Sequence, residues 1–210
     1  MDPVPQQFRT SEQEVVRLIR EHPLAWVVTS DGQAQLFPVR PCLDPAGRLK
    51  ELSGHFPRAS GICRALEDGG RASFLFTGPS AYVSASWFRN RQLAPTWASM
   101  SVAIIANVTL IEDPAELRRS LSDLVDAMED GRPHRWSLEE LGERYEMLAR
   151  RVVAFRAVIT GCRGPFRLGQ DEDEATFSDI LNGLGSTGHQ DIAQRMRAAR
   201  EHRADGISGA

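Results

Sequence analysis

Disulfide and metal-thiolate scaffolds are the first things this sequence lacks. Its three cysteines, Cys42, Cys63 and Cys162, are far apart and odd in number, and no Cys-x-x-Cys pair occurs. That leaves neither a zinc ribbon nor a dithiol redox motif, and makes reduced thiols in a cytoplasmic setting the expectation. No apolar run approaches the ~20 residues of a membrane span. Met1-Asp2-Pro3-Val4-Pro5 has neither the charged nor the apolar region of a signal peptide. Neither sign of charge dominates: a formal net charge of −3 argues against direct DNA binding, a local basic patch aside. A Gly-x-Ser-x-Gly nucleophile elbow and a phosphate-loop lysine are also missing. His134, His189 and His202 have no ligand spacing, so no metal is expected.

What is present is a chain of 210 residues whose early part reads as short strands joined by tight turns. Ser11-Glu12-Gln13-Glu14 is a capping box, and Val15, Leu18 and Ile19 form one helical face that Pro23 ends. Leu24 to Thr29 reads as a buried strand. Asp31-Gly32 tolerates positive φ and marks a hairpin, with a return strand from Gln33 to Leu43. A third strand runs from Arg48 to His55, and a helix from Arg58 to Glu67. Two strands, Ala72–Thr77 and Ala81–Trp87, are expected on either side of a Gly78-Pro79 turn. Ser101–Ile111 is β-branched and long. Together these predict an antiparallel barrel. Helices are expected after Asp113-Pro114 and after Ser137, before a last strand at Val152–Thr160. The helical pair, 113–150, therefore interrupts one α+β domain spanning 1–168. A helical extension covers 169–203, beginning at the solvated acidic run Asp171–Glu174, and 204–210 reads as a disordered tail.

The stretch from Thr77 to Met100 is the most unusual. Tyr82, Ser84 and Ser86 alternate with Ala81, Val83 and Ala85, the period of a strand with hydroxyls on one face. Trp87 and Trp97 flank a basic loop carrying Arg89 and Arg91. Hydroxyls, aromatic planes and guanidinium groups suit an anionic, partly planar ligand. On residue types alone, an edge strand with solvated serines and two core tryptophans is the preferred reading.

Gly78-Pro79-x-Ala81-Tyr82-x-Ser84-x-Ser86-Trp87 followed by Pro95-Thr96-Trp97 resembles the signature of the PaiB-like family of FMN-binding negative transcriptional regulators. Gly54-His55-x-x-Arg58-Ala59-Ser60 resembles that family's Gly-His-x-x-Arg-Ala-Asn block, and the order of elements matches from about Phe8 to Leu168. The resemblance implies a Greek-key split β-barrel that forms a homodimer and holds FMN at the subunit interface. It implies cofactor contacts from His55, Arg58, Ser60, Ser84, Ser86, Trp87, Thr96 and Trp97. Of these, His55 and Arg58 are the phosphate candidates, Thr96 faces a polar edge of the ring, and Trp87 and Trp97 cover its face. Tyr82, Arg89 and Arg91 are then the candidates for contact with a small-molecule substrate. The chain departs from the pattern at Ser60, at Ala98-Ser99, and at Arg167-Leu168-Gly169-Gln170-Asp171, where the family carries Lys-Leu-Ser-Gln-Asn. Three functions follow: a flavin-dependent oxidoreductase on a small metabolite, a negative regulator of transcription, or a ligand-binding accessory protein that has lost flavin.

Overall fold

The computed structural model describes residues 10–207, with side chains through Glu201. The readings at residues 1–5, the start of the family match at Phe8, the side chain of Arg203 and the tail at 208–210 lie outside the described residues. The chain divides into two compact units. One, the barrel unit, comprises Glu12–Phe76 and Val102–Arg163; the other, the helical unit, holds residues 77–101 and 164–207 with the short stretch before Glu12.

In the barrel unit α1 (Glu12–Glu21) precedes β1 (Leu24–Thr29), β2 (Ala34–Leu43) and β3 (Leu49–Pro57). A short α2 (Gly61–Ala65) leads to β4 (Gly70–Val83), and β5 (Thr96–Ile111) follows. Then come α3 (Pro114–Glu129), α4 (Arg144–Ala149) and β6 (Val152–Arg163). The strands close a barrel in the order β1-β2-β3-β6-β5-β4. The Asp31-Gly32 hairpin forms as its turn predicted: Thr29 N donates to Gln33 O at 3.0 Å across the corner, where Gly32 has φ 86°. Asp113 caps α3 by accepting from Glu116 N at 2.8 Å, with Pro114 at the first helical position.

The barrel core is built on phenylalanine. Phe56 stacks on Phe155 at 4.3 Å between centroids and meets Phe37 edge-on at 4.8 Å. Alternation along β3 buries Leu52, Gly54 and Phe56 and turns Ser53 and His55 outward. β1 is half-buried rather than buried. Ala25 and Val27 enter the core, while Leu24 and Trp26 face out. Trp26 lies in register with Leu36 on β2 and Leu75 on β4, so three exposed apolar side chains form one row across three strands.

Further expectations change along the chain. Gly78-Pro79 is no turn, because β4 runs unbroken from Gly70 to Val83. β1 pairs with β4 only through residues 72–76, so Pro79, which has no N–H to give, falls where that ladder has ended. β5 likewise starts at Thr96, five residues before the expected Ser101. The helical unit carries α5 (Glu174–Ser186) and α6 (Gln190–Ile207), the latter helical past the Ala204 boundary expected for the tail. Asp173 caps α5 through Thr176 N at 2.7 Å, which is the part played by the acidic run.

Candidate functional site

The Gly-His-x-x-Arg block lies in the barrel unit, at the end of β3. Gly54 is there for space: a Cβ at this position would sit 2.8 Å from Pro38 O and 2.9 Å from the Phe155 ring. His55 pairs with Ala154 of β6, and its Nδ1 is buried with no hydrogen-bond partner among the described residues. Burial pushes its pKa below the ordinary value, so the ring is neutral near pH 7. A neutral imidazole with one unpartnered nitrogen keeps hydrogen-bonding capacity that no described residue uses.

Arg58 follows the strand. Its N–H donates to Arg151 O at 2.9 Å, and its guanidinium grips Glu112 through two contacts of 3.0 and 2.8 Å. The Arg58 hydrogen bond holds the Glu112 carboxyl below the usual range. The pair is exposed enough to exchange partners, since such ion pairs contribute at most about 1 kcal/mol. Ser60 caps α2, its oxygen accepting from Cys63 N at 3.1 Å. The hydroxyl proton of Ser60 remains free to donate.

The Thr77–Met100 block belongs to the helical unit, where the structure separates scaffold from opening. Ser84 caps a 3-10 turn at Ala85–Trp87 by accepting from Ser86 N at 3.2 Å, and the two hydroxyls bond at 2.8 Å. The strand expected from Ala81 through Trp87 therefore ends at Val83. Trp87 packs on α5 against Gly183. Arg89 ties the loop to the same helix, with its N and Nε both 2.9 Å from the Asp179 carboxylate. Arg91 donates to Ser86 O at 3.3 Å.

Thr96 and Trp97 do something different. They line a cleft of about 370 Å³ together with Val83, Ile180 and Met196. Trp97 is 58% exposed, and its ring meets Tyr82 edge-on at 5.8 Å. Arg167, Asp171 and Glu172 line the same cleft. Two backbone bonds between Ser99 and Arg167, at 2.9 and 2.8 Å, hold these segments together. Gly169, at φ 70°, turns the chain, and Gln170 braces the turn by donating to Phe166 O at 2.6 Å and accepting from Leu168 N at 2.7 Å.

The structure thus brings Thr96 and Trp97 together with the very segment in which the chain departs from the family pattern. Glu172, Ile180 and Met196 had no signal in the sequence, where Glu172 read as one more solvated acid. Burial pushes its carboxyl up, and the neighbouring charges of Asp171 and Asp173 add to this. Gly183-Leu184-Gly185-Ser186-Thr187-Gly188 has the Gly-x-Gly-x-x-Gly spacing. It closes α5 instead of opening a helix after a strand, so it offers no phosphate loop. No described helix is long and apolar enough to cross a membrane.

Comparison with known proteins agrees with the fold. The family model "Putative FMN-binding domain" matches residues 4–161. The protease synthase and sporulation protein PAI 2 of Bacillus subtilis is 24% identical over 188 residues, covering 86% of this chain and 88% of that protein. A conserved hypothetical protein of Mycobacterium tuberculosis superposes with a TM-score of 0.55 at 15% identity, over 79% of this chain and 91% of that one. The FAD and haem binding protein of Mycobacterium smegmatis gives 0.55 at 23% identity, over 83% and 79%. With three quarters of its length matched by one family model and its strands closed into the same barrel, the chain belongs to the FMN-binding domain family of split-barrel proteins.

Proposed function

We propose that this protein is a flavin-dependent oxidoreductase acting on a small metabolite, and that it works as a homodimer. The residues present fit FMN. His55 offers a buried nitrogen with no partner, Arg58 an exchangeable guanidinium, and Trp97 a large open aromatic face. FMN, when bound, supplies the electron-transferring ring that no side chain replaces. The observation that carries the reading is the cleft beside Trp97, because a folded protein gains by covering an aromatic ring of that size unless a ligand does so.

In this reading Arg58 and His55 bind the phosphate, and Ser60 donates its hydroxyl proton to it. Within the helical unit, and by itself, the Thr96–Trp97 pair is assigned to a flat ring, Thr96 at its polar edge and Trp97 on its face. Trp87, Ser84, Ser86 and Arg89 are assigned to the scaffold that holds this loop on α5, and Tyr82 to the wall behind Trp97. The regulator reading draws less support. On α6, Arg200 is committed within its own unit, stacked over Phe177 at 4.1 Å and paired with Glu174 at 3.1 Å.

Arg58→Ala is expected to weaken FMN retention about tenfold, the low end of the ~1.5–3 kcal/mol of a charged hydrogen bond, because wild-type Arg58 must leave Glu112 to make it. Equilibrium dialysis against FMN measures this. Unchanged affinity in a variant of unchanged melting temperature removes Arg58 from the phosphate site.

The homodimer rests on the row Leu36, Trp26 and Leu75, each more than a third exposed on the outer face of the barrel. Trp26→Ser is expected to move the protein from dimer to monomer in sedimentation at micromolar concentration. A wild-type protein that sediments as a monomer at the same concentration contradicts the assembly.

A further inference from the structure

The cleft beside Trp97 has a polarity that a flavin alone does not explain. One wall is apolar, formed by Trp97, Val83, Ile180 and Met196. The other end carries Asp171 and Glu172. Neither carboxylate has a cation partner among the described residues. Arg200 donates to the backbone oxygen of Glu172 at 3.4 Å and gives its charge to Glu174. Arg167 is the one cationic side chain on the lining, and it is exposed. The cleft therefore presents one positive and two negative groups around a bare indole.

We infer that this cleft binds a small aromatic amine in its cationic form, with the ring against Val83, Ile180 and Met196 beside Trp97 and the ammonium group between Asp171 and Glu172. An ammonium group satisfies two neighbouring carboxylates that otherwise repel each other, and an exposed indole attracts both a flat ring and a cation. Burial first, and then the charges of Asp171 and Asp173, push the Glu172 carboxyl up, so its charged form is disfavoured with no cation beside it. A bound cation favours that form. The same arrangement repels a phosphate dianion or a carboxylate of equal shape, so the cleft discriminates by charge more than by size. This names the substrate class for the oxidoreductase proposed above and rests on that reading for its chemical sense, though not for the binding itself.

Calorimetry with three probes of one shape tests it: phenethylamine, 3-phenylpropionate and phenylalanine, titrated at pH 7.5 into flavin-free and FMN-loaded protein. The amine is expected to bind at least tenfold tighter than the acid in both samples. Asp171→Asn with Glu172→Gln is expected to bring the two within about twofold while the melting temperature stays within a few degrees. Acid binding as tight as amine, a preference that survives the double substitution, or no heat from any probe at millimolar concentration overturns the inference. Phenylalanine binding tighter than the amine, and lost in Arg167→Gln, also overturns it in favour of an amphoteric ligand. Flavin content is read separately from the visible spectrum. A protein that holds no FMN but keeps the amine preference refutes the redox reading and leaves the binding site standing.

Discussion

Gly54→Ala is expected to lower the melting temperature by about 6–12 °C. The added Cβ meets Pro38 O at 2.8 Å on one side and the Phe155 ring at 2.9 and 3.0 Å on the other. Neither neighbour is free to retreat: one is backbone of the adjacent strand β2, and the other is stacked on Phe56 at 4.3 Å. Forcing a methyl group into a packed core costs about 1–3 kcal/mol, and backbone contact puts this site at the upper end. For a chain of this size ~1 kcal/mol corresponds to about 2–4 °C. Differential scanning calorimetry of the variant beside wild type decides it. A drop under about 2 °C means that Phe155 swings aside without loss, and Gly54 then needs another explanation. Gly54 stands in the block whose sequence suggests phosphate binding, yet its own reason is the ring behind it.

Gly183→Ala carries the second large effect, and here two terms oppose. Alanine in place of a glycine inside α5 gains about 1 kcal/mol of helix propensity. The new Cβ, however, falls 2.1 Å from Cδ2 and 2.2 Å from Cε3 of Trp87, inside the indole itself. The ring has to leave α5, and the 3-10 turn that Ser84 caps has to move with it. The steric term wins, with an expected loss of about 3 kcal/mol and weakened cohesion of the Arg89–Asp179 loop contact. The double variant Gly183→Ala with Trp87→Ala separates the cause. Removing the ring is expected to recover much of the loss, because alanine then keeps its helical advantage without a clash. If the double variant is less stable than either single one, Trp87 does more than rest on Gly183.

Much of the barrel was legible because its signals are local. The bounds of β1 match the sequence reading, β2 differs by one residue, and the caps at Asp113 and Ser137 both form. The errors occur where a residue's meaning depends on a distant partner. Gly78-Pro79 looks like a turn until the neighbouring strand is seen to end at the residues facing 72–76. Arg58 to Glu67 looks like one helix, yet only Gly61–Ala65 is helical, because Ser60 supplies the cap later than the pattern suggests. Of the two tryptophans the sequence treats alike, Trp87 is taken by a glycine nearly a hundred positions away and Trp97 is left open. No spacing within 77–100 contains that difference. Glu172 is the clearest omission: a residue in an acidic run reads as solvated, and only the turn at Gly169 brings it to the cleft.

The helical unit is not a continuous piece of chain. Its hairpin at 77–101 is synthesised well before 164–207, and the barrel segments 102–163 lie between them. On the ribosome, Trp87 emerges while Gly183 has not yet been made, so its ring waits in water or finds a non-native neighbour. A chain halted near residue 163 has every strand of the barrel and none of α5. Nascent chains arrested at increasing length are therefore expected to show the strands protected from protease first, with the loop around Arg89 cleaved until the final helices leave the exit tunnel.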